Sequence, residues 1–178
     1  MLKMWAKYKK QTGFTIVELL VVIVVIGILA TITIVSYNSI QNSSYDTAVQ
    51  NDIKNVAKQL ELYHAQKHVY PVGDAQLTTL GIKVAKSAYG NGFSNNLHNF
   101  VYCRVAGDGP DKFALVASSK SGKLFTYKSS TELITQSSAW VSTGTVAICT
   151  DAGIPQVGGS DRDIFFYNGS WQPAYISG

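Results

Sequence analysis

The sequence predicts an α+β protein: a long N-terminal α-helix, transmembrane in its first half and amphipathic in its second, packed on a small antiparallel β-sheet head. Three observations carry that prediction. Residues 16–35 form a run in which only Glu18, Gly27, Thr31 and Thr33 are not apolar. Val49, Ile53, Val56, Leu60 and Tyr63 then recur at alternating four- and three-residue steps, the spacing of one helix face. Past residue 75 the composition shifts to Gly, Ser, Asn, Thr and aromatics, with short strand-like runs between turn signals.

The apolar run comes first. Its 20 residues span about 30 Å at ~1.5 Å per residue, one bilayer core. A secretory signal has a shorter apolar region, about 7–15 residues, followed by a small-residue cleavage site, so the run reads as a membrane helix. The cationic segment MLKMWAKYKKQTG before it keeps that end in the cytoplasm. Four of the 15 basic residues, Lys3, Lys7, Lys9 and Lys10, lie in this segment and no acid does; the remainder of the chain carries 11 residues of each sign. The pI of about 9.0 is therefore mostly a property of the first 13 residues, and the charge balance gives little reason to expect nucleic acid as a partner.

The amphipathic stretch follows Ser36–Ser44 and is expected to end near His68, because Pro71 disfavours helix at Tyr70. The expected divisions are 1–13, a leader; 14–35, a transmembrane and assembly helix; 36–70, an amphipathic helix; and 71–178, a globular head. At 178 residues one domain with a real core is the default.

Glu18 is out of place in this pattern. A carboxylate in a lipid-facing helix costs on the order of 2.5–3.5 kcal/mol at the centre and less near an end, so it needs a partner. Two readings stand side by side: Glu18 neutralises its own helix N-terminus, or in a packed array it meets the α-amino group of a neighbouring subunit and registers the two.

Gly13-Phe14-Thr15-Ile16-Val17-Glu18-Leu19-Leu20, after a lysine-containing leader and before the apolar run, resembles the processing site of type IV prepilins and pseudopilins. GILATITI at 27–34 resembles the family's GILAAIAIP, and LELYHAQKHVYP at 60–71 its helix exit. The resemblance covers about the first 60 residues and fades beyond Pro71. It implies cleavage after Gly13 by a prepilin peptidase, N-methylation of Phe14 and a docking role for Glu18. It also implies partners: further copies of the chain in a helical filament, the assembly platform and its ATPase, and the cytoplasmic membrane before assembly, with display on the cell surface afterwards. A pseudopilin of a secretion or DNA-uptake system is the nearer alternative; a membrane-anchored binding protein that never polymerises is the farther one. Val35 stands where the family usually has Pro; Gly27 and the β-branched Thr31, Thr33 and Val35 leave that stretch a weak helix former.

In the head, residues 100–106, 113–117 and 124–127, separated by GDGPDK and SSKSGK, read as an antiparallel meander. Asn168-Gly169 between 164–167 and 170–171 signals a two-residue hairpin. Cys103 and Cys149 are expected to form a disulfide if the head folds outside the cytoplasm, and to be two buried thiols if it does not.

Signals for chemistry are weak, and no enzyme is predicted. His64 and His68 share a helix face, but HAQKH lacks the Glu of HExxH. Asp161 and Asp163 are too few for the 6–8 oxygen ligands that calcium takes. SSKSGKL has Ala117 and Leu124 where a phosphate loop needs Gly and Ser/Thr. No cofactor or metal is expected.

Overall fold

The fold is described from a computed structural model, which defines residues 13–90, 99–104, 112–137, 145–154, 162–164, 166–167 and 170–171. The chain divides into two compact units, Met1–Ile40 and Gln41–Gly178.

Helix α1 is Ile16–Lys67. It stops where the sequence predicts: His68 takes a left-handed conformation, φ 59°, and its N–H bonds the His64 carbonyl at 2.7 Å, which closes the last turn before Pro71. A short helix α2, Gly73–Thr78, and a single 3-10 turn at Lys86–Ala88 follow. Strands β1 (Phe100–Arg104), β2 (Phe113–Ser118), β3 (Leu124–Lys128) and β4 (Leu133–Ser137) form the expected antiparallel meander with one strand more than the sequence indicated. Helix α3, Thr145–Asp151, was not anticipated, and β5 (Arg162–Ile164) adds to the far side of β1, giving the order β4-β3-β2-β1-β5. Strands β6 (Phe166–Tyr167) and β7 (Ser170–Trp171) pair with Phe166 opposite Trp171 and Tyr167 opposite Ser170. That register leaves two residues between them, as a hairpin requires; Asn168 and Gly169 themselves lie outside the described residues.

Strand alternation sorts the sheet into two cores. Phe100, Tyr102, Phe113, Leu115, Ala117, Phe125 and Tyr127 point to one face, where they pack on the α1 stripe of Val49, Ile53, Val56 and Leu60. All four stripe residues are fully buried, each worth about 1.5–3 kcal/mol of transfer free energy. Tyr63, which shares their spacing, is only half-buried. Val101, Cys103, Ala114, Val116 and Leu124 point to the other face and meet Ile148, Cys149, Ala152 and Ile154 on and just after α3. The strands are therefore buried on both sides, which is why β2 is buried at every position and apolar up to Ser118 rather than alternating with polar residues.

Three carboxylates fasten the buried part of α1. Asp46 meets Lys123 Nζ at 2.7 Å and accepts a hydrogen bond from Ser121 Oγ, both in the turn between β2 and β3. Asp52 accepts from the Ala85 N–H at 2.7 Å and the Tyr89 hydroxyl at 3.1 Å. Glu61 accepts from the Tyr127 hydroxyl at 2.8 Å. The SSKSGK segment is the hairpin turn it was expected to be, with Gly122 at φ 88°, a conformation that glycine adopts without strain. Its Lys120 ammonium sits 5.4 Å from the Tyr45 ring centre. The same turn runs close to Gly90, where a Cβ would stand 2.5 Å from the Ser119 carbonyl oxygen.

Burial and hydrogen bonding pull these acids apart. Burial works to raise the pKa of Asp46, but bonds from Lys123, Ser121 and Ser119 with the Lys123 charge outweigh it, and the pKa ends below the ordinary carboxylate value. At Asp52 burial wins over the Ala85 and Tyr89 bonds, so its pKa is raised. Tyr89 is held protonated, its pKa pushed well up by burial and then by the Asp52 charge.

Candidate processing and assembly segment

Residues 13–15 are not helical and α1 begins at Ile16, so Thr15 is the cap and Glu18 the third helical residue. Their side chains are engaged reciprocally. The Thr15 N–H donates to Glu18 Oε2 at 2.8 Å, the Thr15 hydroxyl donates to the same oxygen at 2.7 Å, and the Glu18 N–H donates back to Thr15 Oγ1 at 3.2 Å. The Thr15 carbonyl accepts the first helical bond, from Leu19 N–H at 3.2 Å. This is a capping box, in which side chains satisfy backbone donors that a helix start leaves without partners. Its sequence signature is Thr15-Ile16-Val17-Glu18, a Thr-x-x-Glu pattern directly before the apolar run. It gives the local reading of Glu18 a definite form: within one chain the carboxylate closes its own helix N-terminus through Thr15.

Beyond the cap the helix is bare. Every large apolar side chain described from Phe14 to Ile40 is exposed, from 86% at Phe14 to 48% at Val25. Among the described residues this is the one helix long and apolar enough to cross a membrane. Its hydroxyls do not spoil it for lipid. Thr31 Oγ1 donates to the Ile28 carbonyl at 2.7 Å, Thr33 Oγ1 to Leu29 and Ala30 at 2.9 Å, and Ser36 Oγ to Ile32 at 3.0 Å. Each polar hydrogen is thus satisfied inside the helix, as a hydrocarbon environment demands.

The head supplies the disulfide. Cys103 on β1 and Cys149 on α3 are joined, with Cα atoms 5.4 Å apart and both side chains fully buried in the second core. Cys103 falls in the first strand expected of the meander, whereas the helix that carries Cys149 is not indicated by the sequence.

The other residues singled out from sequence go elsewhere. His64 stacks on Tyr70, ring centres 4.4 Å apart, and Tyr70 meets Phe113 edge-on at 4.9 Å, so His64 belongs to the aromatic cluster at the helix exit. His68 forms the helix stop. Among the described residues no group of three or more His, Cys, Asp or Glu is placed to hold a metal ion. Asp161 lies outside the described residues; Asp163 stands in β5 opposite Tyr102, its side chain undescribed. The leader lysines also lie outside the described residues.

With a capped apolar helix, a hydroxyl-satisfied membrane-length segment and a disulfide-tied sheet in hand, comparison with known proteins is direct. The prokaryotic N-terminal methylation motif matches residues 8–34. The type IV wide pilus major component PilA4 of Thermus thermophilus is 30% identical over 99 residues, 56% of this chain and 75% of that protein. The type II secretion system core protein G of Pseudomonas aeruginosa is 35% identical over 63 residues, 35% of this chain and 44% of its own length. Its Vibrio cholerae counterpart is 34% identical over 77 residues, 43% and 53% of the two chains. The matched region thus spans about half the length of these secretion proteins. The chain belongs to the type IV pilin and pseudopilin family, whose members are structural subunits.

Proposed function

We propose that this protein is a structural subunit of a type IV pilus-like filament, made as a precursor and assembled through its N-terminal helix. The observation that carries the reading is the apolar surface over 14–40, whose described large side chains are all exposed and must be buried in lipid, in other helices, or in each in turn. A prepilin peptidase cuts after Gly13, and Phe14 becomes the methylated N-terminus. Residues 14–35 anchor the subunit in the cytoplasmic membrane in a single pass, and 36–70 carry the head of 71–178 outside it. The disulfide in the head suits a compartment outside the cytoplasm. The assembly platform and its ATPase then extract the subunit into a surface filament.

Glu18 is the docking residue in this scheme. Thr15 uses Oε2, and among the described residues Oε1 has no partner, which leaves one oxygen for the α-amino group of a neighbouring subunit. An ammonium at that position offsets the cost of keeping a carboxylate in an apolar array.

Intact-mass measurement of surface protein tests the processing steps: loss of residues 1–13 and gain of one methyl group are expected, and protein still beginning at Met1 overturns them. Glu18→Val tests docking. The variant should enter the membrane normally and yield few filaments; normal yield removes Glu18 from the mechanism.

A pseudopilin of a type II secretion or DNA-uptake system is the second reading, favoured by the relatives named as core protein G. Electron microscopy of filaments sheared from cells, with mass spectrometry of their main band, separates the two. Absence of the protein from such filaments, together with a secretion defect on its deletion, replaces the pilus with the pseudopilus.

A further inference from the structure

Four lysines gather where two segments meet beside α1. Residues 82–90 and the β2–β3 turn, 118–123, run side by side: Tyr89 bridges Ser119, the Lys120 N–H donates to the Ala88 carbonyl at 2.8 Å, and the Gly90 N–H donates to the Ser118 carbonyl at 3.2 Å. Lys83 and Lys86 on the first segment and Lys120 on the second are exposed, while Lys123 pairs with Asp46. Neither segment contains an acid. The carboxylates that reach them from α1, Asp46 and Asp52, are both buried and already bonded, to Ser121 and Lys123 and to Ala85 and Tyr89. Exposed acids among the described side chains of the head lie elsewhere: Glu132 follows the far end of β3, and Asp151 ends α3 on the other face of the sheet. Lys83, Lys86 and Lys120 thus make an exposed basic surface that no acid of either segment offsets.

The make-up of that surface narrows the anion it fits. Lysine is a flexible point charge without the planar fork by which arginine grips a single phosphate or carboxylate. The nearest rings offer no platform for stacking on bases, since Lys120 stands over Tyr45 at 5.4 Å and Tyr89 is buried. A diffuse field of phosphates suits such lysines better than a discrete ligand. The chain brings one close. Tyr45, under Lys120, is the earliest of the described residues of α1 to pack on the head's core, and only residues 36–44 separate it from the apolar run. Those nine residues carry no charge, and a chain of that length reaches at most about 30 Å. Tethered so closely, a membrane surface meets the lysines at high effective concentration.

We propose that the Lys83, Lys86 and Lys120 surface docks on the anionic phospholipid headgroups of the membrane that anchors the chain, and holds the head there until the subunit leaves for the filament. The proposal rests on the reading of residues 14–35 as a membrane anchor. The contact is electrostatic, so it requires anionic lipid and is screened by salt.

The test uses the full-length chain reconstituted in vesicles of phosphatidylcholine, or of phosphatidylcholine and phosphatidylglycerol in equal parts. Ser87→Cys carries a donor fluorophore and labelled headgroups the acceptor; Thr131→Cys, in the β3–β4 turn, is the control position. Energy transfer from the Ser87→Cys label should be higher with phosphatidylglycerol and should fall to the phosphatidylcholine level at about 1 M salt, where the Debye length is ~3 Å. Lys83→Gln combined with Lys86→Gln, and separately Lys120→Gln, should weaken the docked state about fivefold for each lysine removed, while Lys86→Arg should preserve it. The Lys83 and Lys86 variants leave the Lys120 contact with Tyr45 in place, so the test survives if Lys120→Gln impairs folding. Transfer that is equal in the two lipids, insensitive to salt or unchanged by the glutamine variants overturns the docking, as does an equal rise at the control position. Transfer between labelled copies that persists in phosphatidylcholine overturns it in favour of a neighbouring subunit. A chain that floats with neither vesicle overturns the anchor reading itself, a result distinct from the loss of docking in an anchored chain.

Discussion

The two faces of the sheet are stabilised by different means. The face toward α1 is built of large side chains: Phe100, Tyr102, Phe113, Phe125 and Tyr127 against Val49, Ile53, Val56 and Leu60, with aromatic rings meeting at 4.9–5.9 Å. The face toward α3 is built of small ones, Val101, Ala114, Val116, Ala152 and a few branched residues, around a covalent bond. A seven-residue helix is too short to hold itself together, and Thr145 and Val146 are poor helix formers. One face can therefore rely on buried area, while the other needs a cross-link to keep its cover in place.

Breaking the cross-link should have the largest effect. Cys149→Ser removes closure across a sequence separation of 46 residues, worth about 4 kcal/mol on the chain-entropy estimate. The α3 face should lose hydrogen-exchange protection at 145–154 first, while the α1 stripe keeps its own. Equal loss on both faces would show a single cooperative core.

Ile53→Ala attacks the other face and should cost about 3 kcal/mol by leaving a cavity, read as a fall in the denaturant midpoint. Ile23→Ala, in the exposed part of α1, should leave the head's unfolding unchanged. A matched fall in both would contradict the division between buried and bare helix.

The carboxylate fasteners sharpen the comparison by pH. The lowered pKa of Asp46 means that its contribution is present above the ordinary carboxylate range, near pH 4, and is lost as pH falls through it. Asp52, raised, works in the opposite sense: its contribution is present below that range and is lost as pH rises through its folded value. Asp46→Asn should therefore destabilise at pH 7, and by progressively less as pH falls below about 4 toward the lowered folded value. Asp52→Asn should be neutral or stabilising at pH 7, since the amide oxygen can still accept from Ala85 and Tyr89 without a buried charge. Denaturation of both variants across pH 3–8 checks the signs.

The smallest effect expected is a gain. His68→Gly relieves a left-handed residue at the end of α1 and should add about 1 kcal/mol, seen as a small rise in melting temperature. No gain would mean that the imidazole contributes as much as the strain costs.

Local patterns made much of this protein legible in sequence. A bilayer-length apolar run, a stripe at helical spacing, a proline after the helix and paired strand runs each have one dominant solution, because the backbone's own hydrogen bonding and the side-chain period fix it. The Gly13, Phe14 and Glu18 motif stands in the same contiguous stretch. What only the tertiary structure decided are matters of long-range contact. Helix α3 has weak local propensity and exists because β1 and the Cys103 sulfur hold it down. Nothing in the local pattern sets Asp46, Asp52 and Glu61 apart from solvent-side acids, because their hydrogen-bond partners lie 33 to 75 residues away. Asp46 and Asp52 even shift in opposite directions, because the balance of desolvation against donors is set by which turn happens to pack on each. The basic surface at Lys86 and Lys120 likewise depends on the pairing of Tyr89 with Ser119, and periodicity along a single helix carries no information about that.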